Sequence, residues 1–223
     1  MNASPATDTV PSRPSPRRSA RSRRMKRTER RGTRLVLAGL ALLLAAAGTM
    51  VFSYSPATDV YSARLQTRLA GQLTSPDLRE AYVRRQVDEG DSLTRIRIPA
   101  IGVNVVVVEG TSSSALRAGA GHYPRTPLPG EDGNVAIAGH RTTYGKPFAD
   151  LDRLAPGDDI FLDTPLGRHH YRATRQPFVV DKADWSPIAQ TGGKTLTLST
   201  CHPKRSDRQR LIVQAELVSP VDG

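Results

Sequence analysis

One cysteine, Cys201, is all the thiol chemistry this chain holds. An intrachain disulfide is therefore impossible, and a structural zinc site has no cysteine set to build on. The chain shows no Cys/His metal-ligand spacing, no glycine-rich phosphate loop and no internal repeat. Neither a metal nor a cofactor is expected. A lone cysteine is a small buried hydrophobe, an intermolecular link or a reactive nucleophile.

Acidic residues are scarce at one end. Residues 1–34 hold eleven Lys/Arg against Asp8 and Glu29, whereas residues 35–223 hold 21 Lys/Arg and 19 acids. The net charge of +11 thus belongs to a tail, which argues against a nucleic-acid-binding domain. The tail is rich in Ser, Pro and Arg, with little beyond Val10 and Met25 to bury, and its composition predicts disorder. It runs into the one long uncharged stretch, Leu35–Ser53. About 20 apolar residues suffice to span a bilayer as a helix. Arg30, Arg31 and Arg34 abut its start, Tyr54 sits at its far end, and the next charge is Asp59. The positive-inside rule places residues 1–34 in the cytoplasm and everything after Ser53 outside. The competing reading is a cleaved signal peptide with its site at Ala45-Ala46-Ala47.

Residues 54–91 read as an extracellular stalk. Val60, Leu65, Leu69 and Leu73 recur at roughly helical spacing until Pro76, and Leu78, Tyr82 and Val83 suggest a second short helix. A partly helical spacer is the preferred reading, and a helix docked on the following domain is the other. From residue 92 the texture changes. Leu93–Ile98, Val103–Val108, Asn134–Gly139, Asp159–Leu162, His169–Thr174, Phe178–Val180, Lys194–Cys201 and Arg210–Leu217 read as strands, with Gly and Pro between them. Many short strands at this spacing predict an all-β barrel or sandwich over 92–223.

Alternation along Lys194–Cys201 puts Leu196, Leu198 and Thr200 on one face and Thr195, Thr197, Ser199 and Cys201 on the other. The thiol lies away from the leucines, which favours a reactive role over a buried one. Five histidines are candidate bases. His140 emerges at the end of a strand, after Gly139, whose missing side chain permits close backbone approach. His202 adjoins Cys201 and points to the opposite face. His169 and His170 read as exposed hairpin residues, and His122 in Gly121-His122-Tyr123-Pro124 as a loop residue with a structural hydrogen bond. Arg210 opens the last strand. Antiparallel pairing with 194–201 would bring its guanidinium to the thiol, where it can serve an oxyanion or a substrate carbonyl. Arg205 and Arg208 read as solvated loop residues.

Thr197-Leu198-Ser199-Thr200-Cys201 resembles the Thr-Leu-x-Thr-Cys signature of sortases. Ala138-Gly139-His140-Arg141-Thr142-Thr143-Tyr144-Gly145 is similar to their histidine segment, and Arg210-Leu211-Ile212-Val213 to their arginine strand. The His, Cys, Arg order agrees, and the resemblance covers about residues 92–218. Gly121-His122-Tyr123-Pro124 and the run from Gly139 to Phe148 resemble class E, the housekeeping sortases of high-GC Gram-positive bacteria. The resemblance implies an eight-stranded β-barrel with Cys201 as nucleophile, His140 as acid and base, and Arg210 as oxyanion or substrate ligand. It further implies transpeptidation at the Thr–Gly bond of a C-terminal Leu-Ala-x-Thr-Gly sorting signal. The partners would be surface proteins bearing that signal and a lipid-linked peptidoglycan precursor offering the amine. Two rivals stand beside it. L,D-transpeptidases are also exported and Cys/His-dependent, but their Ser-His-Gly-Cys-type segment is missing around Cys201. The other is a membrane-anchored β-barrel that binds cell-wall ligands without catalysis.

Overall fold

The computed structural model describes residues 16–221, with side chains described over 33–49 and 56–218. Two compact units divide at Phe52/Ser53. The first, over its described residues, is helical backbone, the leading part of α1 (Pro16–Gln72). Residues 1–15 of the basic tail lie outside the described residues. From Pro16 on, the backbone is helical where composition predicts disorder. Pro suits the first turn of a helix, and arginine and lysine are good helix formers. Among the described residues no helix is long and apolar enough to cross a membrane. The last side chains of the Leu35–Ser53 run, at 50–53, lie outside those described.

The second unit is a barrel. Its strands are β1 (Ser92–Ile98), β2 (Val103–Glu109), β3 (Ala120–His122), β4 (Gly133–Gly139), β5 (Asp159–Thr164), β6 (Gly167–Ala173), β7 (Phe178–Asp181), β8 (Lys194–His202) and β9 (Gln209–Val221). They follow the order β6-β5-β1-β2-β3-β4-β8-β9, and β6 pairs with β9 to close eight strands. β7 stands outside the ring and pairs with the first residues of β9, from Phe178 opposite Ile212 to Asp181 opposite Gln209. Eight strands were legible in the sequence and eight close the barrel, but the sets differ. β7 is not in the ring, and β3, read as a loop, is. Three residues are too few to show a period, and β3 is a strand because β2 and β4 flank it. The β2–β3 and β4–β8 pairs are parallel, and such pairs need a crossover. The first crossover contains the short helix α3 (Ser113–Ala118), begun by Ser112, whose hydroxyl accepts from Ala115 N–H.

The interior is branched and aliphatic. Ile96, Ile98, Val107, Val135, Ile137, Leu162, Leu196, Leu198 and Val213 are sealed from solvent with Phe148 and Tyr171. Each such side chain contributes roughly 1.5–3 kcal/mol by burial.

Residues 54–91 are not a free spacer. The last turns of α1 lie on the barrel, and so does α2 (Pro76–Val83) through Leu78 and Tyr82. The buried face of α1 is Thr58, Ser62 and Leu69, with Leu65 and Gln66 half-buried, while Val60 is exposed. Leu69 packs with Val106, Val108, Ala115 and Ala118. Gln66 takes the place of a neighbouring strand. Its Nε2 donates to Val106 O at 2.9 Å and to Ala118 O at 2.8 Å, and its Oε1 accepts from Val106 N–H at 2.7 Å. Val106 lies just before the point where β3 takes over the pairing. Gln66→Ala would leave that amide and carbonyl without partners. It is expected to cost about 1–3 kcal/mol, read as a lower urea midpoint at unchanged slope.

Candidate active site

Strand register brings two of the three sequence-chosen residues face to face. β8 and β9 pair antiparallel from Thr195 opposite Glu216 to His202 opposite Gln209, which sets Cys201 opposite Arg210. The Arg210 Nη1 lies 3.8 Å from Cys201 Sγ and also donates to Asp207 O at 3.0 Å and Gln209 O at 3.1 Å. The turn carbonyls hold the guanidinium while one corner of it meets the sulfur. Cys201 is free and half-buried, on the face opposite Leu196 and Leu198, both sealed in the core. Thr197 and Ser199, on the thiol's own face, are also buried. A chain segment covers that face, and Thr197 Oγ1 donates to Pro187 O at 2.9 Å.

His140 arrives from β4. Parallel pairing of β4 with β8 runs to Ala138 opposite Ser199. Thr200 Oγ1 then donates to Gly139 O at 2.7 Å. Two residues beyond the last pair, His140 is level with Cys201. No hydrogen bond joins imidazole and thiol, and catalytic hydrogen bonds often tighten only with substrate in place. Burial holds the His140 pKa below the ordinary histidine value, so the ring is neutral at pH 7 and has a lone pair to offer. Gly139 gives close approach, as its position suggested, and what approaches is Phe148. A Cβ at 139 would stand 2.6 Å from Phe148 Cδ2.

The other candidates are elsewhere or otherwise engaged. His122 is sealed inside β3, with Nδ1 2.8 Å from Glu109 Oε2 and Nε2 near Thr126 Oγ1 and Pro127 O. His170 is not solvent-facing filler, since it bonds Asp159 at 2.7 Å and stacks on Phe161. His169 is half-buried, with its pKa lowered by burial. Arg205 and Arg208 are exposed. His202 Nδ1 accepts from Arg141 Nη1 at 2.9 Å.

Two neighbours of the thiol went unread in the sequence. Arg141 is buried, binds Asp152 at 3.1 Å and reaches Cys201 O at 3.4 Å, joining the His140 segment to the end of β8. Tyr123 lies near Ser199 and within electrostatic reach of Arg210 and Cys201, and burial raises its phenol pKa. Trp185, exposed, meets the Tyr123 ring edge-on at 6.4 Å. Tyr123 follows β3, so the strand order β3-β4-β8 carries it near Ser199, and its place in Gly121-His122-Tyr123-Pro124 does not by itself announce that.

A family profile described as the sortase domain matches residues 96–218. Sortase SrtE1 of Streptomyces coelicolor is 33% identical over 147 residues, 59% of this chain and 42% of that protein. The chain thus spans less than half the length of that relative. Among solved structures, a sortase E from Streptomyces avermitilis is 36% identical with a TM-score of 0.54, covering 60% of this chain and 93% of its own. A sortase D5 transpeptidase of Clostridium perfringens is 28% identical with a TM-score of 0.62, covering 72% and 99%.

Proposed function

The chain belongs to the sortase family of cysteine transpeptidases, and from that premise we propose a reaction carried by Cys201, His140 and Arg210. Neutral His140 takes the proton of the Cys201 thiol as the sulfur attacks the carbonyl of a Thr–Gly bond. The tetrahedral oxyanion is met by Arg210, in the manner of preorganised donors elsewhere. The C–N bond breaks, the glycine amine leaves with a proton from His140, and a thioester remains on Cys201. An acceptor amine then attacks the thioester and gives its proton to His140, the C–S bond breaks, and the departing Cys201 sulfur takes that proton back as thiol. The carrying observation is the register that sets Cys201 opposite Arg210 with 3.8 Å between Sγ and Nη1.

The likeness to class E relatives supports a Leu-Ala-x-Thr-Gly signal as donor, with an amine of a lipid-linked peptidoglycan precursor as acceptor. Incubation with a Leu-Ala-x-Thr-Gly peptide, followed by mass spectrometry of the intact chain, is expected to show a thioacyl adduct on Cys201. An unmodified Cys201 beside turned-over peptide would reject the mechanism.

The charge split around Leu35–Ser53 supports a single membrane span with residues 1–34 inside. Anchoring would confine enzyme, substrate and lipid-linked acceptor to one thin layer and raise their effective concentration. Protease added to intact protoplasts is expected to digest the barrel. Protection of the barrel, or a mature protein starting near Gly48, would count against this topology.

A further inference from the structure

Polar contacts from the end of α1 converge on the loop that follows His140. Thr58 Oγ1 accepts from Tyr144 N–H at 3.4 Å, and Asp59 Oδ1 accepts from Gly145 N–H at 3.0 Å. Asp59 Oδ2 meets Lys146 Nζ at 2.7 Å. Ser62 closes on the same loop, since a Cβ at Gly145 would stand 3.1 Å from its Oγ. Tyr144, Gly145 and Lys146 have φ of +52°, +75° and +48°. Tyrosine and lysine rarely adopt this hand, so the conformation needs support from outside the loop. Apolar packing does not supply all of it, because a cleft of about 290 Å³ lined by Asp59, Ser62, Gln66, Tyr144 and Gly145 lies there. At the other end of the loop, the Tyr144 ring sits 5.2 Å from the imidazole of His140, tilted by 35°.

We propose that Asp59 is a positioning residue for His140. Its bonds to Gly145 and Lys146 seat the loop, and Tyr144 in turn seats the imidazole level with Cys201. The inference rests on the reading of His140 as acid and base. A barrel cut from its preceding helix would keep the Cys201–Arg210 register, which belongs to β8 and β9, and would lose the support for His140.

The test uses the full chain in detergent with a Leu-Ala-x-Thr-Gly peptide. Asp59→Ala is expected to lower kcat about tenfold, since small misplacements of a reacting group are costly, with KM changed by less than about twofold. Asp59→Asn keeps an acceptor for Gly145 N–H and is expected to restore most of the rate. In ¹H–¹³C spectra the His140 ring signals should move in Asp59→Ala and return in Asp59→Asn. Gln66→Ala loosens the same helix at Val106 and Ala118 and removes no hydrogen bond to this loop, although Gln66 shares the cleft with it. It should lower stability and leave the His140 signals in place. Unchanged kcat and unchanged His140 signals in Asp59→Ala would overturn the proposal. Equal movement of those signals in Gln66→Ala would also overturn it, by reducing the helix to a general brace. His140→Ala in the same assay separates the two readings. Full turnover there removes the acid–base role and the positioning role with it. An inactive His140→Ala beside a normal Asp59→Ala removes the positioning role alone.

Discussion

A Cys201→Ala chain incubated with a Leu-Ala-x-Thr-Gly peptide is expected to gain no peptide mass and to lose turnover by on the order of 10⁴-fold or more, as when a nucleophile is removed from a covalent mechanism. The domain should stay folded. Cys201 is half-buried at the end of β8, and its face is not the one that Leu196 and Leu198 send into the core. Removing its sulfur leaves no core cavity, so the thermal midpoint should move by only a few degrees. Core truncations such as Leu198→Ala cost about 2–5 kcal/mol, and that contrast is the control. Unfolding of Cys201→Ala at a cost like that of Leu198→Ala would show a packing cysteine. Turnover near wild type would end the covalent mechanism.

The strand pattern that placed the thiol was legible because alternation is local. Leu196, Leu198 and Cys201 sort themselves to opposite faces within one strand. Arg210 was legible for a similar reason, since a short loop between two strand-like runs makes antiparallel neighbours of them. Residues brought in by distant strands were not. Tyr123 is brought near Ser199, two residues before the thiol, across β4, and Arg141 reaches Cys201 O from the far side of a 60-residue connection. The docked helix was misread for a third reason. Its face on the barrel is built from Thr58, Ser62 and Gln66 as much as from Leu69. Apolar periodicity is blind to such a face. Gln66 docks because its amide reproduces a peptide group's donor and acceptor against Val106, which no hydrophobic count records.

Substitution of Arg210 by lysine separates charge from geometry. Lysine keeps the positive charge and loses the planar fork of donors. In the structure one nitrogen, Nη1, is shared among Asp207 O, Gln209 O and Cys201 Sγ. The carbonyls orient the group, and the rest of the fork is left for substrate. An ammonium on a flexible stem bonded to the same two carbonyls has little left to offer an oxyanion. Arg210→Lys is therefore expected to lower kcat/KM by about 10²–10³, the loss typical of one oxyanion donor, and Arg210→Ala by at least as much. A fall in kcat at constant KM would assign the fork to the oxyanion, and a rise in KM at constant kcat would assign it to the bound substrate carbonyl. Arg205→Ala and Arg208→Ala should stay close to wild type, because both side chains are exposed on the loop between β8 and β9. Wild-type rates in Arg210→Lys would show that charge alone suffices. Wild-type rates in Arg210→Ala, with a loss in Arg205→Ala or Arg208→Ala, would move the role onto that loop. The register of β9 against β8 would then describe the fold without describing the chemistry.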